Sequence, residues 1–423
     1  MREIMSKPTL ISLFSGAGGM DLGFKNKEFN IIWANDFEKD AVITYKNNIG
    51  DHIVLGDITT IDSSKIPGKK NEVDVVIGGF PCQGFSVANT KRSMADKRNY
   101  LYLELLRVIK EKKPKFFVAE NVKGLLSMEK GKIINMIVSD FKKLGYEVEY
   151  KLLNAADYGI PQQRERVFIV GNRIGINNSD LFPKQTHYNI YPTEEDGKVR
   201  STSLIAKQPY ITVKETIELL LDVEITNGKT NDFVLINDEK IYNHIASTKV
   251  ADTFFGRKYD VNQADICDYL KYWRDKSEWT TKKIDNHFGY KHTAGHWFRK
   301  DNKSGSIPKP SDWWELKKLL EFDDTYDKQV TTFVEKKIQF EQSLRITNWY
   351  RASDTITATS PEIHINKQRR LSARECALLQ TFPNDFIFSG SLNSQYKQIG
   401  NAVPVKLAEL LAQNIKNKLK KNG

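Results

Sequence analysis

One cysteine of this 423-residue chain stands where a nucleophile would. Cys82 lies in Gly78-Gly79-Phe80-Pro81-Cys82-Gln83-Gly84-Phe85-Ser86, just past the apolar run 73–77. A thiol in a Gly/Pro-framed loop at a strand end is exposed where substrate would sit, and backbone amides or nearby cations there raise its thiolate fraction. Cys376, within Arg374-Glu375-Cys376-Ala377-Leu378-Leu379, sits inside an apolar run and reads as structural. With Cys267 the cysteines are three and widely separated, which excludes a disulfide framework and any CxxC metal site. The next apolar run, 116–119, delivers Glu120-Asn121-Val122. A carboxyl in that position is a helix-cap neighbour or a catalytic acid, and its place on the strand beside Cys82 favours the acid. Further on, Gly159-Ile160-Pro161-Gln162-Gln163-Arg164-Glu165-Arg166 leads into the run 167–170. Arginines two apart at the start of an extended segment point to one face. They could hydrogen-bond a base edge and a phosphate, or form surface ion pairs. A thiolate with an acid on the neighbouring strand is the equipment of covalent catalysis.

A second set of residues suits a nucleoside. The first apolar run ends in Phe14-Ser15-Gly16-Ala17-Gly18-Gly19, where glycines let the backbone turn sharply and approach a ligand at a helix N-terminus. The spacing departs from GxGxxG, so a dinucleotide is not favoured. The second run ends in Asn35-Asp36-Phe37, a carboxylate for ribose hydroxyls and a ring to stack on adenine. The third ends in Gly56-Asp57-Ile58-Thr59, a further carboxylate on the same edge. Aspartate often caps a helix when taken singly, but three consecutive strand ends so equipped point to nucleoside binding.

These residues need a scaffold that brings strand ends together. Up to about residue 171, runs at 10–14, 31–35, 53–55, 73–77, 116–119 and 167–170 are too short for helices and are bounded by Gly, Asp or Pro. Helical stretches such as 100–112 and 133–144 lie between them. The alternation predicts an α/β fold, a mostly parallel sheet covered on both faces, with ligands at the carboxyl ends of its strands. From about 174 the alternation stops. Residues 175–365 hold six of the seven tryptophans, Trp273, Trp279, Trp297, Trp313, Trp314 and Trp349, and so should carry a core of their own. After about 366 the chain turns motif-like again. It closes in an amphipathic helix with Leu407, Leu410, Leu411, Ile415 and Leu419 on one face.

Net charge is +11, from 64 basic and 53 acidic residues, which fits a polyanionic partner and fits equally a merely basic protein. The polar start and the short run after it exclude a signal peptide and a membrane span there, so a cytoplasmic location is expected. His287, His292 and His296 include an i,i+4 pair, but no acid or cysteine completes a ligand set, so no metal is expected.

Taken in order, these motifs resemble the cytosine-5 DNA methyltransferase family, over the whole chain outside 175–365. The stretch 14–19 is similar to that family's cofactor loop, 79–86 to its nucleophile loop, 120–122 to its acidic tripeptide and 162–166 to its arginine motif. Arg370-Leu371-Ser372-Ala373-Arg374-Glu375-Cys376-Ala377-Leu378-Leu379-Gln380-Thr381-Phe382-Pro383 resembles the segment that orders the recognition region. Gln398-Ile399-Gly400-Asn401-Ala402-Val403-Pro404 resembles the closing motif that completes the cofactor pocket.

The resemblance implies a Rossmann-like S-adenosylmethionine-dependent methyltransferase sheet with a second, smaller target-recognition domain. The boundaries it suggests are 1–188 for the catalytic and cofactor-binding domain, 189–365 for target recognition and 366–423 for the return segment. It implies S-adenosylmethionine held by Phe14, Ser15, Gly16, Ala17, Gly18, Gly19, Asp36, Phe37, Asp57, Ile58, Phe80, Pro81, Asn401 and Val403. Cys82 would add to carbon 6 of a cytosine flipped out of double-stranded DNA, with Glu120 protonated at ring nitrogen 3 and Arg166 on the oxygen at carbon 2. Arg164 would position the nucleophile loop or the target phosphate.

DNA contacts are expected from Gln83 and Ser86. They are also expected from a basic lid over 87–99 carrying Lys91, Arg92, Lys97 and Arg98, for which a solvated surface loop is the plainer reading. In the variable region, 280–289 reads as a capped helix ending in Gly289, with a turn over 290–292 and a second helix over 293–300. This helix-turn-helix-like unit would offer Lys291, His292, Thr293, His296 and Lys300 to the major groove; an ordinary helical hairpin is the plainer alternative. A monomer is expected, with a restriction endonuclease acting on the same site as a companion where such a pairing exists. The rivals are a transfer RNA methyltransferase of the same fold, whose usual Cys-Phe-Thr tripeptide this chain lacks, and a DNA-binding regulator with vestigial catalysis.

Overall fold

The structure, a computed structural model, describes residues 6–81, 101–189, 208–226, 232–248, 263–289, 292–293, 298–301, 305–308, 310–331, 346–359, 361–366 and 368–421. Cys82, Gln83, Ser86, Lys91, Arg92, Lys97, Arg98, Lys291 and His296 lie outside the described residues, as do the side chains of His292, Thr293 and Lys300.

The expected sheet is there, with one strand more than the sequence indicates. Its strands are β1 (Thr9–Leu13), β2 (Asn30–Asp36), β3 (Ile53–Leu55), β4 (Val75–Gly78), β5 (Phe116–Val122), β6 (Glu147–Asn154) and β7 (Glu165–Asn172), in the order β3-β2-β1-β4-β5-β7-β6. β7 runs antiparallel to both its neighbours and the remaining pairs are parallel. Helices α1 (Gly19–Asn26), α2 (Lys39–Asn48), α3 (Tyr102–Lys112) and α4 (Lys132–Lys143) lie between the strands in the chain.

Alternate residues feed two cores, one on each face. Leu10, Ile31, Val75, Ile77, Val118 and Phe168 belong to one, and Ile11, Leu13, Trp33, Val76, Phe117 and Ile169 to the other. Burial on both faces is why these strands read as unbroken apolar runs. β6 escaped that signal because Glu147, Glu149 and Lys151 alternate along an edge strand whose residues are mostly part-exposed.

The strand order reverses direction between β1 and β4, the place where open α/β sheets take their ligands. Leu13 pairs with Gly78 and Gly78 with Ala119, so Phe14 and Gly79 leave their strands level with Glu120, which is still in β5 and pairs with Phe168.

A separate core of Ile266, Leu270, Ile284, Trp313, Leu316, Leu320, Phe322 and Val330 forms beyond the sheet. It is built by α5 (Gln263–Lys276), α6 (Thr281–Phe288) and α7 (Pro310–Leu320) with the segment after them. It occupies only part of 189–365, since Val213, Ile217, Ile245, Trp349 and Ile356 are buried in the main core. α6 starts and stops as expected: Thr280 caps Lys283 N–H at 3.2 Å, and Gly289 ends it in the left-handed region at φ +73°.

Among the described residues of 293–300 the expected second helix is absent. In its place β8 (His292–Thr293), β9 (Phe298–Asp301) and β10 (Gly305–Pro308) form an antiparallel sheet, so the helix-turn-helix reading is overturned. Gly295 disfavours a helix, while Thr293 and Phe298 favour strands, and the i,i+3/i+4 spacing misled because so short a segment fits either period.

After α8 (Ala373–Leu379) and α9 (Leu392–Asn401), the closing helix α10 (Val405–Lys421) buries Leu407, Leu411 and Ile415 as expected. It packs close on α1, where a Cβ on Gly23 would lie 2.5 Å from Ala408 Cβ. Segment 370–374 pairs with 243–247, and Arg374 donates to the carbonyls of Tyr242, Pro383 and Phe386 at 2.7, 2.6 and 2.5 Å. These bonds stitch the return segment to 242–247, within the variable region. Among the described residues no helix is long and apolar enough to cross a membrane.

Candidate active site

The residues just after β1, β2 and β3 are laced to one another. Phe14 leaves β1 at φ +54°, and Gly16 and Gly18 come next at φ +54° and +91°, left-handed values that glycine adopts at no steric cost. Ser15 N–H donates to Asn35 O at 3.0 Å, and Gly16 N–H to Asp36 Oδ2 at 2.8 Å. Asp36 Oδ1 accepts Glu38 N–H at 2.9 Å, so this carboxylate first pins the turn to β2. Each of its oxygens keeps a lone pair beyond those bonds. Asn35 Nδ2 donates to Val54 O and Gly56 O, tying the end of β3 into the same edge. Asp57 caps the short turn Ile58–Thr60 by accepting Thr59 N–H at 2.9 Å and remains exposed, while Ile58 is buried below it.

The edge leaves a ring and a stretch of backbone open. Phe37 is 63 % exposed, a large ring left in solvent one residue after Asp36. Nothing stands within 4 Å of where a Cβ on Gly16 would be, so the turn presents open backbone. The closing motif arrives here too, as expected. A Cβ on Gly19 would meet Val403 O at 2.5 Å and Ala402 Cβ at 3.0 Å, with Val403 buried and Asn401 exposed.

Glu120 and Arg166 form the polar centre one strand over. Arg166 Nε lies 3.1 Å from Glu120 Oε1, and both side chains are largely buried. Burial raises the Glu120 pKa above the ordinary carboxyl value, against the pull of the Arg166 and Arg164 guanidiniums. Burial likewise lowers the Arg166 pKa, with Glu120 opposing the shift. A Cβ on Gly79 would stand 3.2 Å from Glu120 Oε2, so the carboxyl abuts the backbone that runs on through Phe80 and Pro81 to Cys82. Asn121, to which the sequence assigned no role, steadies that backbone: its Nδ2 donates to Phe80 O at 3.0 Å and its Oδ1 accepts Val122 N–H at 2.8 Å. The available signal was a buried amide at the end of an apolar strand, which must find partners.

Arg164 sits elsewhere than expected. It is 1 % exposed, and its guanidinium donates to Ile356 O at 3.1 Å and Gly400 O at 2.7 Å. That place suits anchoring two later segments to the sheet rather than meeting a phosphate. Gln162 works beside it, accepting Ile356 N–H at 3.0 Å and donating to Leu379 O at 3.3 Å. The sequence placed both arginines on one face, yet only Arg166 makes an ion pair with Glu120.

Comparison with known proteins bears on the whole chain. The family model for C-5 cytosine-specific DNA methylases matches residues 9–417. The Type II methyltransferase M.FnuDI of Fusobacterium nucleatum is 34% identical over 412 residues, 97% of this chain and 94% of that protein. The Type II methyltransferase M.NgoFVII of Neisseria gonorrhoeae is 31% identical over 416 residues, 97% of this chain and 87% of that one. In fold the chain is similar to the S. pombe Dnmt2 methyltransferase, with a TM-score of 0.53 at 16% identity, over 98% of this chain and 99% of that one.

Proposed function

The chain belongs to the C-5 cytosine-specific DNA methylase family, and from that premise we propose how its residues divide the work. The enzyme methylates carbon 5 of cytosine in DNA. The observation that carries the residue assignment is the buried Glu120–Arg166 pair against Gly79, three residues before Cys82, with the glycine turn beside it.

S-adenosylmethionine would supply the methyl group on a sulfonium. Phe37 would stack on its adenine, Asp36 and Asp57 would face its ribose and base, and the turn 14–19 with Phe80, Pro81, Asn401 and Val403 would enclose the rest. The exposed ring, the two carboxylates and the open backbone at Gly16 fit that ligand.

Carbon 5 of cytosine is a poor nucleophile because the ring is aromatic and electron-poor. Addition of the Cys82 thiolate to carbon 6 breaks the aromaticity and makes carbon 5 an enamine carbon able to take the methyl group. Glu120, protonated, would hydrogen-bond ring nitrogen 3 as charge builds there, and Arg166 would hold the oxygen at carbon 2. Loss of the carbon 5 proton then expels Cys82. The base must leave the duplex for any of this, at about a few kcal/mol recovered in the pocket. Asn121 would position the nucleophile loop, and Arg164 and Gln162 would position the return segment.

Target recognition would fall to the unit around the separate core, within the expected 189–365 domain, with 366–423 returning to the sheet. Its substrate would be a specific double-stranded sequence. A monomer acting in the cytoplasm and, as the Type II names of the relatives suggest, paired with a restriction endonuclease completes this reading. Gln83, Ser86, Lys91, Arg92, Lys97 and Arg98 keep their proposed DNA contacts near the nucleophile. Lys291, His292, Thr293, His296 and Lys300 remain proposed DNA contacts, with His292, Thr293 and Lys300 on strands rather than on a recognition helix. Alanine replacements of these five should alter which duplex sequences are methylated while donor affinity is kept. Unchanged site preference across a randomised duplex library would place recognition elsewhere.

The donor pocket has its own test. Phe37→Ala and Asp57→Ala should each weaken S-adenosylmethionine binding by about tenfold or more, the loss of one ring stack or one charged hydrogen bond. Folding should survive, because both side chains are exposed. Wild-type affinity by calorimetry in both variants would show that the donor binds elsewhere.

A further inference from the structure

Beneath the glycine turn runs a chain of buried polar side chains that the reaction above does not use. Ser15 Oγ donates to Ser12 Oγ at 2.9 Å, and Ser12 Oγ donates to Asp21 Oδ2 at 3.0 Å. On the other side Tyr45 OH donates to Asp21 Oδ1 at 2.9 Å, and its oxygen lies 3.0 Å from His52 Nε2. Ser12 and Asp21 are each 1 % exposed and Tyr45 is fully buried.

A carboxyl in such a place is costly to keep ionised, and burial pushes the pKa of Asp21 up to about 7. An apolar residue at this first turn of α1 would avoid the cost, so packing alone does not explain an aspartate. What the carboxyl contacts is the underside of the turn. Ser15 is one of its residues, and the Tyr45 ring stands 2.9 Å from where a Cβ on Gly18 would be. Gly18 carries the left-handed φ of +91° that starts α1.

We propose that Asp21 is a positioning residue for the methyl donor: one oxygen holds Ser15 through Ser12, the other holds Tyr45 under Gly18, and together they fix the shape of the turn that receives the donor. The proposal rests on reading 14–19 as the donor loop. Asp21 itself touches neither donor nor cytosine. Its loss should therefore act on donor binding and not on the chemical step, because Cys82, Glu120 and Arg166 belong to other strands and their loops.

The full-length protein serves for the test, as Asp21→Asn, Ser12→Ala, Tyr45→Phe and the pocket control Phe37→Ala. Asparagine keeps the volume of aspartate, so Asp21→Asn should fold where Asp21→Ala could fail. Asp21→Asn and Ser12→Ala should each weaken S-adenosylmethionine binding by about fivefold, the worth of one buried hydrogen bond. At saturating donor, kcat on duplex DNA should stay within about twofold of wild type, and KM for DNA should not move, as expected of lost uniform binding. Weakened binding in Phe37→Ala with wild-type affinity in Asp21→Asn and Ser12→Ala would overturn the proposal and leave the pocket intact. Wild-type affinity in Phe37→Ala would overturn the reading of the loop, and the proposal with it. Equal loss of kcat and of affinity for both substrates, tracking a fall in Tm, would make Asp21 a structural residue and would also overturn it.

Discussion

Duplex DNA carrying 5-fluorocytosine at the target site should accumulate as a covalent complex with this enzyme when S-adenosylmethionine is present. Once the thiolate has added to carbon 6 and the methyl group is on carbon 5, release of the enzyme requires the carbon 5 hydrogen to leave as a proton. Fluorine cannot leave as a cation, so elimination stops and the sulfur–carbon bond persists through a denaturing gel. The adduct should map by mass spectrometry to the peptide containing Pro81-Cys82-Gln83. Cys82→Ser should abolish it, because a neutral hydroxyl is a far weaker nucleophile than a thiolate.

Cys376→Ser provides the contrast. Cys376 is fully buried in α8, and burial raises its thiol pKa well above the ordinary value, so it stays protonated and inaccessible. Cys267 is buried as well, its pKa pushed up to about 12. Replacing either should leave the adduct intact. An adduct that survived in Cys82→Ser, or mapped to Cys376, would remove Cys82 from the mechanism.

The placement of the candidate site residues at strand ends was legible in the sequence because its signals are local. Strands that end at a reversal of strand order expose the next residues in the chain, and Gly16, Phe37, Asp57 and Glu120 each sit close after an apolar run. The hidden features depended on distant partners. Arg164 looks like a surface or substrate arginine until Ile356 O and Gly400 O arrive from about 190 and 240 residues away. Asn121 and Gln162 find their hydrogen-bond partners only when Phe80 and Leu379 are beside them. The hairpin around Phe298 was misread for a different reason. A segment of eight residues supports either periodicity, and pairing with 305–308 decides for strand. β6 was missed because an edge strand that alternates charged residues with part-buried ones lacks the apolar run of a buried strand.

Glu120→Gln should lower kcat by about a hundredfold or more while leaving DNA affinity near wild type, the usual range for removing a general acid. On the proposed mechanism the carboxyl would act in its protonated form, donating a hydrogen bond to ring nitrogen 3 as negative charge develops there. Burial favours that form by raising its pKa. Arg166, 3.1 Å away, opposes the rise, so the proton is held but remains removable. The sign of the pH dependence is set by these two groups. As pH climbs through the raised pKa of Glu120 the acid loses its proton and kcat should fall. Glutamine can donate a hydrogen bond but cannot give up or take a proton in this range. The variant should therefore lose the falling limb and run slower throughout. Arg166→Met should shift the falling limb to higher pH, since removing the cation favours the neutral acid, and should also cost rate through the lost contact at carbon 2. A falling limb unchanged in Glu120→Gln would assign it to another group and leave Glu120 without its proposed role.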